Sequence, residues 1–139
     1  YLWGQLDNAQ LINDKRLSLW NRYKSNLNPL AANGFIELPS VPAECVHNAH
    51  MFYIKLRDIN TRSKLIKVLK KFDVTSVFHY IPLHSAEAGL KFGVFSGNDV
   101  NTTQESEKLL RLPMYFSLNN EDIDNICFNY LEGLIWVFR

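Results

Sequence analysis

The strongest constraint on the fold is a change of hydrophobic period between residues 50 and 80. Over 50–57 the side chains alternate, with Phe52, Ile54 and Leu56 on one face and Tyr53, Lys55 and Arg57 on the other, the period of a half-buried strand. The period then lengthens. Leu65, Ile66, Leu69 and Phe72 recur at helical spacing, with Asn60 or Thr61 placed to cap that helix. Lys64, Lys67, Lys70 and Lys71 fall largely elsewhere and read as a solvated face. Residues 74–80 are β-branched and aromatic and stop at Pro82, which predicts a second strand. Strand, helix and strand in so short a span predict an α/β fold, a two-layer small domain whose sheet is covered by helices.

The flanking segments extend that pattern. Near the end, Asn119 is placed to cap a helix with Glu121 and Asp122 in its first turn, and Ile123, Ile126, Cys127, Tyr130, Leu131, Leu134, Ile135 and Phe138 keep the helical period. From residue 4 to 27 helix formers also dominate, but the apolar residues occupy several arcs: Trp3, Leu6, Leu17, Trp20 and Leu27 on one, Leu2, Ile12, Leu19 and Tyr23 on others. Such a helix either packs between two bodies or lies in one small core. Asn28-Pro29 and Asn33-Gly34 are expected to end it, and Pro39 and Pro42 to keep the following stretch irregular. A long loop is expected over 85–101, where Gly89, Gly93 and Gly97 fall; loops of that length are usually functional or ordered by a neighbour. Thr102 and Glu105 have capping-box spacing for a short helix reaching Arg111, and 113–118 reads as a short edge strand.

Composition removes several function classes. The chain has 139 residues, enough for one domain, and 15 basic against 14 acidic side chains leave a net charge of +1, so it has no general attraction for nucleic acid. No apolar run approaches the roughly 20 residues that span a bilayer, and the start lacks the sections of a signal peptide. Two cysteines, Cys45 and Cys127, are too few for a disulfide scaffold and fit a reducing, cytoplasmic setting. The opening Tyr1-Leu2-Trp3-Gly4, with no methionine and no capping residue, is expected of a piece cut from a longer protein.

Two clusters carry side chains capable of chemistry. Cys45, His47 and His50 could offer a metal three ligands, but a closed zinc site needs a fourth and no second paired motif follows, so no metal is expected. His79, Tyr80 and His84 lie where the second predicted strand runs into a proline turn, a place where rigid backbones present functional groups. The imidazoles can exchange protons or bind phosphate and sugar hydroxyls, and the phenol can do the latter. The plain alternative is a set of hydrogen-bonded turn residues. No Gly-x-Ser-x-Gly nucleophile elbow exists, so hydrolase chemistry has no support.

Three runs, His50-Met51-Phe52-Tyr53-Ile54-Lys55-Leu56-Arg57-Asp58, Val77-Phe78-His79-Tyr80-Ile81-Pro82-Leu83-His84, and 102–113 ending Leu109-Leu110-Arg111-Leu112-Pro113, together resemble the carboxy-terminal part of the DegT/DnrJ/EryC1/StrS nucleotide-sugar aminotransferases. The likeness leans toward members that place an amino group, from glutamate, on C4 of a dTDP-4-keto-6-deoxyhexose for surface-polysaccharide synthesis. It implies a fold-type I pyridoxal phosphate enzyme working as a homodimer, with residues 1–28 as a helix connecting from a large domain and 29–139 as the small domain. It also implies that His79, Tyr80 and His84 wall the sugar-nucleotide site; here one residue fewer separates Tyr80 from Pro82 than in the family's Tyr-x-x-Pro-Leu-His. In that family the Schiff-base lysine follows a serine by three residues. No serine of this chain has one there, so the chain alone is expected to bind no pyridoxal phosphate and to transfer no amine. The competing expectation is a non-catalytic binding or assembly module; a Ser-x-x-Lys segment encoded upstream would discriminate the two.

Overall fold

A computed structural model describes residues 2–138, with the side chain of Phe138 excluded. Tyr1 and Arg139 therefore lie outside the described residues, as does the Phe138 side chain within the predicted C-terminal pattern. A short helix α1 (Leu2–Leu6) leads into the long α2 (Ala9–Ala32). There follow β1 (Phe52–Lys55), α3 (Ile59–Lys71), β2 (Val77–Phe78), a 3-10 turn (Leu83–Ser85), α4 (Glu87–Phe92), α5 (Thr102–Lys108), β3 (Leu109–Leu112) and α6 (Asn120–Phe138). The sheet order is β1-β3-β2, with both pairings antiparallel. β1 and β2 are thus parallel to each other with β3 between them, a split βαβ unit.

Register explains the core. Phe52 pairs with Leu112 and Ile54 with Leu110, and all four are buried, while Tyr53, Lys55 and Arg111 on the opposite face are half-buried. Helices α2, α3 and α6 cover the apolar face, supplying Leu19, Tyr23 and Leu27, then Leu65 and Leu69, then Ile123 and Tyr130. Tyr23 stacks on Phe52 at 5.0 Å and its hydroxyl donates to the Pro113 carbonyl at 2.8 Å. The predicted two-layer α/β domain is what forms.

Several local expectations are revised. Helix α2 does not end at Asn28-Pro29 but continues to Ala32, because Leu27 and Leu30 are both buried and hold the turn in place despite the N–H that Pro29 lacks. It ends at the second expected stop, Asn33-Gly34, in a Schellman motif: Gly34 at φ +74° donates to Ala31 O, and Phe35 to Leu30 O, both at 3.0 Å. The cap of α3 is Asp58, accepting from Thr61 N–H at 2.7 Å, rather than Asn60 or Thr61. The helix predicted to reach Arg111 stops at Lys108, and Leu109–Leu112 forms the central strand. Thr102 does not cap α5, and residues 113–118 form no strand. The second strand shrinks to two residues, since Tyr80 at φ +46° leaves the extended region.

The 3-10 turn reaches into the expected long loop at Ser85, and α4 lies within it. By contrast, Asn119 caps α6 as expected and reciprocally: its Oδ1 accepts from Asp122 N–H at 2.9 Å, while Asp122 Oδ2 accepts from Asn119 N–H at 2.8 Å. The head of the chain is uncovered. Leu2, Trp3, Leu6 and Leu11 are exposed, Trp3 at 84%.

Candidate functional site

Everything between Ser76 and Leu110 is exposed or half-buried, so residues 77–101 form an arm on the β2 edge, held by polar contacts more than by burial. Its base is the strained Tyr80. The Ser106 hydroxyl on α5 donates to the Tyr80 carbonyl at 2.7 Å, which holds that left-handed turn against helix α5. The His79 ring lies edge-on to Tyr80 with centroids 4.7 Å apart, and its Nδ1 is buried with no hydrogen-bond partner.

The turn at Tyr80 sends His84 to a different place. His84 Nε2 lies 2.8 Å from Asp99 Oδ2, and Asp99 also accepts from the Thr103 backbone N–H at 3.1 Å and from the Thr103 hydroxyl. These donations from Thr103, followed by His84, hold the Asp99 carboxyl below its ordinary range. An ionised carboxylate only accepts, so the proton sits on Nε2 and the Nδ1 of a neutral His84 is left as the basic atom. The pair also ties the start of the arm to its end, 15 residues on. Behind it a cavity of about 520 Å³ is lined by Leu83, His84, Gly89, Phe92, Phe95 and Ser96, with the Phe95 ring 4.4 Å from that of His84. Gly89 permits this closure, because a Cβ there would lie 1.6 Å from the Leu83 carbonyl oxygen.

Tyr80 lines a second cavity, of about 330 Å³, together with Arg62, Pro82, Ser85 and Thr103. The three residues singled out from sequence therefore share the arm but not one pocket; Thr103, which lines the second cavity and touches the His84–Asp99 pair, joins the two. Sequence reading missed Asp99, Thr103 and Arg62. Asp99 had a signal, four residues ahead of Thr103 at a helix start, whereas Arg62 looked like one more cation on a basic helix and is buried at 8% exposure.

Elsewhere, His47 packs edge-on against Trp20 at 4.6 Å, and among the described residues no three His, Cys, Asp or Glu side chains converge as metal ligands. No described helix is long and apolar enough to cross a membrane. Cys127 is buried, and that burial pushes its thiol up to about 12, far from a reactive thiolate.

The fold and the arm thus define a small α/β lobe with a carboxylate-oriented histidine at its rim. Residues 2–130 match the family model described as the DegT/DnrJ/EryC1/StrS aminotransferase family, and the chain belongs to that family. It is 33% identical over 131 residues to the 3-oxo-glucose-6-phosphate:glutamate aminotransferase of Bacillus subtilis, covering 93% of this chain and 28% of that protein. Among solved structures it is similar to NtdA from Bacillus subtilis with bound cofactor PMP, at 29% identity and a TM-score of 0.76, over 90% of this chain and 29% of that one. The aminotransferase TlmJ from Streptoalloteichus hindustanus superposes with a TM-score of 0.83 at 20% identity, over 97% and 35% of the two chains. The chain spans about a third of the length of the relatives it matches.

The coenzyme implied by this family can be tested against the residues present. Holding pyridoxal phosphate through a Schiff base takes a lysine amine directed into a cleft. No lysine lines either arm cavity. A groove that does hold lysines, Lys55 and Lys108, has both of them tied to Glu105. None of these three cavities fits an anchored pyridoxal phosphate.

Proposed function

We propose that this chain is the carboxy-terminal lobe of a pyridoxal phosphate-dependent sugar aminotransferase, with the coenzyme and its lysine held by the part of the enzyme that corresponds to the unmatched two thirds of its relatives. Residues 1–28 then connect to that part, and 29–139 form the small domain. The observation that carries this reading is the fold itself, which follows aminotransferase structures over nearly the whole chain. The uncovered apolar residues Leu2, Trp3, Leu6 and Leu11 support it, since a larger lobe seated there would remove them from water.

In this reading the arm walls the sugar site. His84, oriented by Asp99, exchanges a hydrogen bond or proton with the sugar or its phosphates, and His79 and Tyr80 line the approach. The substrate is a dTDP-4-keto-6-deoxyhexose aminated at C4 with glutamate as donor, in a cytoplasmic homodimer serving surface-polysaccharide synthesis. A second sugar class has support from the Bacillus subtilis relative, whose name gives a 3-oxo hexose phosphate and glutamate.

The test is amine transfer by the polypeptide carrying this chain, supplied with pyridoxal phosphate, glutamate and each keto sugar. An amino sugar and an equimolar 2-oxo acid, identified by mass spectrometry, are expected with the dTDP sugar. Transfer to the hexose phosphate alone would move the assignment to that class, and none with either would overturn it. The 139-residue chain mixed with pyridoxal phosphate is expected to show no aldimine absorbance band.

A further inference from the structure

The helical layer has an outward face that neither the core nor the arm uses. Helix α6 lies between α2 and α3. On one side Arg22 and Asn26 of α2 bond to Asp124; on the other, Leu65 and Val68 of α3 pack against Gly133, where a Cβ would lie 2.8 Å from Leu65 Cδ1 and 3.5 Å from Val68 Cγ1. Phe72 at the end of α3 shares a cavity with Asn125 and Asn129, so α3 and α6 run antiparallel.

A helix face turned to water ordinarily carries polar residues, as Glu121 and Asn125 do early in α6. The later turns break that rule: Phe128 is 62% exposed, Ile135 48% and Trp136 69%, with Leu131 beside them. The family match ends at residue 130, so family membership does not account for Ile135 and Trp136. The border of this stripe is basic. With 3.6 residues per turn, Lys64 and Lys71 follow Val68 on the arc of α3 that leads away from the sheet, and Lys67 comes next. All three are exposed, and among the described residues none has an ion-pair partner. Glu132, half-buried, is the one acid within the stripe.

A specific protein interface takes about 20–30 residues a side and is depleted in lysine; a short stripe flanked by unpaired lysines has neither property. An anionic lipid surface asks for no shape complementarity. Apolar side chains enter the acyl boundary, tryptophan settles at the headgroup level, and lysines reach the phosphates along their methylene stems. We propose that the outer face formed by α3 and the end of α6 docks peripherally on an anionic bilayer, with Phe128, Ile135 and Trp136 inserted and Lys64, Lys67 and Lys71 on the lipid phosphates. This goes beyond the aminotransferase reading and does not depend on it.

The experiment is co-sedimentation of the 139-residue chain with vesicles of phosphatidylglycerol and phosphatidylcholine in equal parts, and with vesicles of phosphatidylcholine alone. Trp3→Ser and Leu6→Ser are present throughout, so that the uncovered head does not contribute. Saturable binding to the anionic vesicles is expected, about tenfold or more tighter than to neutral ones and weakened by molar salt. With Trp3 replaced and Trp20 buried, a blue shift of tryptophan emission on binding reports Trp136 directly. Ile135→Ser with Trp136→Ser, both at exposed positions, is expected to abolish binding and leave the thermal midpoint unchanged. Lys64→Gln with Lys67→Gln and Lys71→Gln is expected to reduce anionic binding to the neutral level, whereas Glu132→Gln should tighten it about fivefold, the effect of one charge near the surface. Equal binding to both vesicle types, or no loss in the Ile135 and Trp136 variant, would overturn the proposal. A concentration-dependent dimer that the same variant dissolves, with no vesicle bound, would overturn it too and give the face to a second copy of the chain.

Discussion

The two edges of the sheet are built by different physics. On the β1 side, strands and three helices interlock around Phe52, Ile54, Leu110 and Tyr130, all without measurable exposure. On the β2 side, the arm buries nothing fully, and its shape is kept by the His84–Asp99 pair, the Ser106 hydroxyl on Tyr80 and the close packing at Gly89. Stability concentrates in the first region, while the second has the sparse burial of a segment of low local stability.

The sharpest way to break that division is a pair of phenylalanines. Phe52→Ala removes a ring packed against Trp20 and Tyr23 and is expected to cost about 3–5 kcal/mol in urea unfolding. Phe92→Ala, in the arm and 80% exposed, is expected to stay within about 0.5 kcal/mol. Comparable losses at both sites would mean that the arm belongs to the core. One step smaller is Asn119→Ala, which removes half of the reciprocal cap of α6 and is expected to cost about 1 kcal/mol in the same measurement.

The regular half of the molecule is also the half legible in the sequence. β1, α3 and α6 announce themselves because burial on one face imposes a period, which for β1 shows as alternation through the flanking residues 50–57. β3, a strand of the same length, does not: Leu109-Leu110-Arg111-Leu112 fits either period and becomes a central strand only because both β1 and β2 need its backbone. Pro29 misled for a related reason, since a propensity of local origin was overridden by the burial of Leu27 and Leu30. In the arm, His79, Tyr80 and His84 could be picked out by residue type, yet the placing of Tyr80 and His84 against different cavities follows the one positive φ at Tyr80. The burial of Arg62 comes from the packing of α3 against α5 and the Phe78 ring, which no local pattern encodes.

Acid should probe the helical seam that backs the core. Arg22 donates to Asp124 from Nε at 2.8 Å and Asn26 donates at 2.7 Å, and these two partners, Arg22 first, hold the Asp124 carboxyl at about 2 against an ordinary 3.8. A carboxylate depressed on folding adds stability above its unfolded value and loses it as pH falls through the folded one. The thermal midpoint is therefore expected to drop between pH 3.8 and about 2, less steeply in Asp124→Asn. The effect is small because the pair is open to solvent, and Asp58, also held at about 2, keeps some slope in the variant. An unchanged slope would place the acid sensitivity elsewhere, Asp58 first.

The smallest expected effect on stability is the one that most sharpens the contrast. In His84→Ala, Asp99 keeps both donations from Thr103 and the core is untouched, so the thermal midpoint should stay with the unaltered protein. If the arm recognises the sugar, turnover or sugar-nucleotide affinity of the polypeptide carrying this chain should nevertheless fall about tenfold, the loss of one hydrogen bond to a charged group. His47→Ala is the matched control: it deletes an imidazole that packs on Trp20 at 4.6 Å, far from the arm cavities in its contacts, and should disturb stability more than turnover. Equal and negligible effects on turnover would leave His84 as a staple of the arm and would remove it from the substrate site.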